Sequence, residues 1–132
     1  IYSELLAIVR KTLGLDEPLR NALAPFAAQL KWAFIYGSIA KGEAHSSSDI
    51  DLMLIGESLN YSEVMEQLMP LEEQLGRTIN PTLYTPEDWI GKWNAGHSFV
   101  QRVAEQDKIN LIGENPVESM DGQQRESGEP AT

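Results

Sequence analysis

Phe34-Ile35-Tyr36-Gly37-Ser38-Ile39-Ala40-Lys41-Gly42, followed after a serine-rich turn by Ser48-Asp49-Ile50-Asp51-Leu52-Met53-Leu54, is the stretch on which the reading of this chain depends. The apolar runs Trp32–Tyr36 and Ile50–Ile55 are stopped by Gly37-Ser38 and by Gly56, which predicts two buried strands. A strand that ends in Gly-Ser and turns into a helix exposes backbone N–H groups. Glycine permits close approach, the Ser38 hydroxyl adds a donor, and the whole suits a phosphate. Lys41 follows one turn later, within reach of the same group. Asp49 and Asp51 flank Ile50 at the start of the second strand, where alternate side chains share a face, so the two carboxylates point together while Ile50 packs inward. Such a pair can hold a divalent metal. Magnesium takes octahedral oxygen ligands at roughly 2.0–2.1 Å and is commonly bound by one or two carboxylates plus substrate phosphate and water.

Working outward, Tyr2–Leu13 places Leu5, Ile8, Val9 and Thr12 on one stripe and predicts a helix that ends at Gly14. Asp16 is expected to cap a second helix, with Leu19, Leu23 and Phe26 on its inner side and Pro25 ending or straining it. Tyr61–Leu75 carries Val64, Leu68, Leu71 and Leu75 at helical spacing and stops at Gly76. Arg77–Tyr84 reads as a third strand, and Pro81, which lacks a ladder donor, assigns it to an edge or a bulge. Thr85-Pro86-Glu87-Asp88 has a hydroxyl cap, an N1 proline and two acids at the positive dipole end, the start of a further helix. A short helix around Ser98–Glu105 and a strand at Lys108–Ile112 follow. Trp32, Trp89 and Trp93 are read as core aromatics rather than a stacking platform. The expected architecture is α/β: a small mixed sheet with helices mainly on one face and the active groove open on the other.

At 132 residues the chain has room for one core. The domain is expected over residues 1–112. Residues 113–132, with five acids, one base and almost no large apolar groups, form an expected disordered acidic tail. Twenty acidic residues against ten basic ones give a net charge of −10, which repels phosphate backbones and anionic lipid and argues against direct nucleic-acid or membrane binding. No cysteine occurs, which rules out disulfides, thiolate metal sites and cysteine nucleophiles and points to a reducing, cytoplasmic setting. The start at Ile1, without methionine, suggests a piece of a longer chain.

Other motif readings fail on the same residues. Glu43-Ala44 stand where a P-loop needs lysine and a hydroxyl residue. Met53 occupies a ligand position of an EF-hand loop. A phosphatase Asp-x-Asp would leave an apolar strand, whereas here Ser46-Ser47-Ser48 come first and the apolar run comes after. Taken together, Gly37-Ser38 and Asp49-Ile50-Asp51 eleven residues after Ser38, with Gly42 between, resemble the signature of polymerase-β-type nucleotidyltransferases, in particular the minimal nucleotidyltransferase proteins of prokaryotes. The order of helices and strands from about Leu5 to Ile112 resembles that family more weakly.

The resemblance implies that Gly37, Ser38 and Lys41 hold a nucleoside triphosphate, ATP, and that Asp49 and Asp51 bind magnesium in a two-metal site for in-line transfer of a nucleotidyl group, AMP, to a hydroxyl. Some relatives carry an N-terminal winged-helix DNA-binding module, and Tyr2–Leu13 is similar to the segment that leads from that module into their transferase domain. Others are antitoxins that modify a partner toxin, which implies a protein acceptor. The third carboxylate of the family corresponds here to Asn80. An amide oxygen can ligate a metal but brings no charge and takes no proton from an attacking hydroxyl. This leaves two readings: an active transferase with a weak second metal site, or a nucleotide-sensing or partner-binding regulatory domain that has lost turnover.

Overall fold

The computed structural model describes residues 14–41 and 49–117, Lys41 by its backbone alone. The predicted Tyr2–Leu13 helix, the loop with Gly42 and Ser48, and the tail from residue 118 lie outside the described residues. Helix α1 covers residues 14–23 of the described chain and includes Gly14, and the expected end of the preceding helix lies outside the described residues. Asp16 does not cap α1. It lies inside the helix and pairs with Arg20 one turn on, at 3.0 Å. Arg20 also donates from Nε to the Leu111 carbonyl at 2.8 Å, tying α1 to the last strand. Pro25 shifts the chain into a 3-10 turn, Ala24–Phe26, as its missing donor requires.

The strands are β1 (Leu30–Tyr36), β2 (Ile50–Gly56), β3 (Ile79–Tyr84) and β4 (Ile109–Gly113), in the order β3-β2-β1-β4. β1 runs antiparallel to both β2 and β4, and β2 runs parallel to β3, giving the expected mixed sheet. β3 takes an edge, where Pro81 leaves no interior ladder bond unmade. The short helix α2 (Ser38–Lys41) comes directly after β1. The parallel pair needs a crossover, supplied by α3 (Tyr61–Leu75). Asn60 accepts from the Glu63 N–H at its start, and Gly76 closes it in the left-handed conformation. Helices α4 (Pro86–Asn94) and α5 (Ser98–Glu105) fill the connection from β3 to β4. The Thr85 hydroxyl accepts from Asp88 N–H at 3.0 Å and caps α4.

Helices cover both faces of the sheet, not mainly one. On one face Leu19 and Leu23 of α1 and Val64, Leu68 and Leu71 of α3 pack on Ala33, Ile35, Leu52 and Leu54. On the other, Trp89 of α4 and Val100 and Val103 of α5 pack on Trp32, Phe34, Met53 and Ile55. The reason is that β1 and β2 are apolar on successive residues, so each central strand has two faces to bury. Trp32 and Trp89 are core, their rings 5.8 Å apart edge-on, with Trp93 packed beside Trp89.

Packing also continues past residue 112. Gly113 belongs to β4, and the buried Asn115 accepts from Trp89 Nε1 and from the Val117 N–H, both at 3.0 Å. No helix among the described residues is long and apolar enough to cross a membrane.

Candidate functional site

The polar residues gather at one end of the sheet, where β1 finishes and β2 and β3 begin. In the ladders Tyr36 lies opposite Asp51 and Asp51 opposite Asn80. Ile50 is fully buried in the α1/α3 core, so strand alternation turns Asp51 to the other face, in line with Met53 and Ile55. Asp49, two residues earlier, is exposed at the mouth of the same face. Asn80 Nδ2 donates to Asp49 Oδ2 at 3.3 Å. Asp49, Asp51 and Asn80 are thus brought together by pairing between segments about thirty residues apart.

The Gly-Ser bend faces this group. Gly37 has φ +79, a conformation natural to glycine, and a Cβ built on it would run into the Asp51 carboxylate. Backbone and acid are in direct apposition, so a side chain at position 37 would have to push the Asp51 carboxylate aside. Ser38 opens α2 and is half-buried. Lys41 closes that helix, its side chain outside the described residues.

Asp51 holds its proton more tightly than an ordinary aspartate. Partial burial is the main cause, the nearby Asp49 charge adds to it, and a hydrogen bond with the Asn80 amide works in the opposite direction. Crowded carboxylates of this kind gain most from a cation. Among the described residues no group of three histidine, cysteine or acidic side chains gathers to hold a metal. The available ligands are two carboxylates and an amide oxygen, an all-oxygen set of the type magnesium accepts.

The sequence model of the family described as polymerase beta, nucleotidyltransferase, matches residues 20–109. The chain belongs to the polymerase-β nucleotidyltransferase family. Several solved structures share this family fold. A toxin–antitoxin crystal structure with AMP-PNP is 15% identical with a TM-score of 0.54, and the match covers 87% of this chain and 91% of that one. A mutant MntA–HpeT toxin–antitoxin complex is 14% identical, with a TM-score of 0.56 and coverage of 86% and 90%. A complex of the tri-AMPylated Shewanella oneidensis HEPN toxin with its MNT antitoxin is 17% identical, with a TM-score of 0.53 and coverage of 90% and 91%. At these identities the likeness concerns the fold. No curated protein sequence matches the chain.

Three further residues of this cluster escape a reading of the sequence. Gln106, just after α5, accepts the Gly37 N–H on its side-chain oxygen at 2.9 Å. Tyr36 and Thr82 share a hydroxyl hydrogen bond at 3.3 Å beside Asp51. The Tyr36 phenol is pushed up, chiefly by burial and in lesser part by the Asp51 charge, while the Thr82 bond opposes the rise. Period-two spacing from Asn80 would have marked Thr82 only once the β1-β2-β3 register was known, and Gln106 carries no local signal at all.

Proposed function

We propose that this domain binds a nucleoside triphosphate, ATP, with Mg2+ and transfers its AMP group to a hydroxyl of a protein acceptor in the cytoplasm. The observation that carries the reading is the direct apposition of Asp51 and the Gly37 bend, with Asp49 on the same face. The bend and the Ser38 hydroxyl receive the triphosphate, and Lys41 meets its outer charge. Asp49 and Asp51 would hold the cation that accompanies the triphosphate. Asn80, whose amide nitrogen donates to Asp49, would offer its oxygen to a weaker second position. A cation held by these residues would supply charge neutralisation on the phosphates and a lowered pKa at the acceptor hydroxyl. The acceptor oxygen would bond to the α-phosphorus as the bond to the pyrophosphate leaving group breaks, the hydroxyl proton passing to water because the Asn80 amide cannot take it. A net charge of −10 opposes entry of free nucleotide, so binding depends steeply on metal. The AMP-PNP complex and the AMPylated toxin among structures of the same fold support both the nucleotide and a toxin-like protein acceptor.

Asn80 favours one second reading, a regulatory domain that senses nucleotide or binds a partner without turnover. Calorimetric titration of MgATP into wild type and Asp51→Ala, with transfer of α-labelled ATP onto candidate protein partners, separates the possibilities. Metal-dependent binding lost in Asp51→Ala, with label on a partner, supports transfer. Equal nucleotide affinity in both proteins ends the proposal. Asn80→Asp should raise the transfer rate of a weakened enzyme and leave a pure sensor inactive.

A further inference from the structure

Gly37 lies one residue past the end of β1, where the ladder to β4 has already run out, since its last pairing is Ile35 with Ile109. Its N–H is nevertheless engaged, by a side chain 69 residues away. We infer that Gln106 is a positioning residue of the nucleotide site, holding the Gly37 bend against Asp51. This rests on the reading of the site given above.

Gln106 is itself firmly placed. As the C-cap of α5 its backbone N–H donates to the Arg102 carbonyl at 3.1 Å, and its side-chain Nε2 donates to the same carbonyl at 3.4 Å. The Gln106 carbonyl accepts from Lys108 Nζ at 2.8 Å, and that ammonium also bonds the Val103 and Ala104 carbonyls at 3.2 and 2.7 Å. A cation closing the negative end of a helix is a favourable and rigid arrangement. The carboxamide oxygen therefore reaches Gly37 from a fixed base, while Asp51 closes on the Gly37 Cα from its own strand. Gly37 is half-exposed, so water could replace the lost bond at little cost to folding, whereas water would not fix the direction of the bend. A neutral acceptor also has a specific use here. Glutamate would make the same bond but add a third negative charge beside two carboxylates and an incoming triphosphate.

The test uses the intact chain with Gln106→Met, of similar length without a strong acceptor, and Gln106→Glu, which keeps the acceptor and adds charge. Amide exchange followed by NMR and calorimetric titration of MgATP are the readouts. In Gln106→Met the Gly37 amide should exchange faster while the β1 amides keep their protection, and MgATP affinity should fall about fivefold, the equivalent of one ordinary hydrogen bond. In Gln106→Glu the Gly37 amide should stay protected, with affinity reduced at low salt and recovering as salt is raised. Wild-type MgATP affinity in Gln106→Met, unchanged Gly37 exchange, or failure of Gln106→Met to fold each overturns the positioning role. If the wild-type protein binds no MgATP, the nucleotide reading fails and the positioning role with it, even if the exchange data show Gln106 holding Gly37.

Discussion

Replacing Gly37 by alanine isolates the contact on which the site is built, because a second glycine provides the control. Gly37 and Gly76 both have positive φ, +79 and +65, so alanine at either pays the left-handed backbone cost of about 1–2 kcal/mol. A Cβ at Gly76 meets nothing within 4 Å, whereas one at Gly37 meets the Asp51 carboxylate. That carboxylate ends a rotatable side chain and can swing aside, at about 0.5–1.5 kcal/mol if it leaves its rotamer well. Gly76→Ala should therefore lose about 1–2 kcal/mol of stability and Gly37→Ala about 2–3 kcal/mol. The larger difference lies in binding, since Asp51 cannot both avoid the new methyl group and keep its place beside the bend. Urea unfolding and MgATP titration of the two variants should show nearly intact affinity in Gly76→Ala and at least a tenfold loss in Gly37→Ala, the effect of misplacing one ligand by ~1.4 kcal/mol. Wild-type affinity in Gly37→Ala would refute the apposition argument outright.

The same geometry sets two further outcomes. Asp51 has a folded-state pKa above its unfolded value, so its ionised form weighs against folding at neutral pH, and the handicap disappears as pH falls through the raised pKa towards the ordinary carboxylate value. In metal-free buffer Asp51→Asn should be more stable than wild type at pH 7, with a gap that narrows on acidification; a gap independent of pH contradicts the assignment. Asn115→Ala strands the fully buried Trp89 N–H and the Val117 N–H, and should cost about 2 kcal/mol in urea unfolding, the usual range for a buried donor left without an acceptor. A change below about 0.5 kcal/mol would mean that the segment after β4 is not part of the fold, because surface substitutions fall within that range.

Elements whose ends are governed by neighbours a few residues away were legible in the chain's residue order. Asn60 and Gly76 bound α3 at the residues expected, Thr85 and Pro86 start α4, and Gly37-Ser38 and Asp49-Ile50-Asp51 mark the polar end of the sheet. At Asp16 the local cap signal failed: the residue lies inside α1, where it pairs with Arg20, and Arg20 also ties the helix to β4. Which side chains meet became visible in the folded chain alone. Asn80 reaches Asp49 through the parallel β2/β3 register, Tyr36 reaches Thr82 across two ladders, and Gln106 reaches Gly37 from the far end of α5. Caps and turns are short-range hydrogen bonds that a few residues write out in full. Strand register and helix placement are instead settled by burying two apolar faces of one sheet at once, a condition that belongs to the whole chain and to no single segment of it.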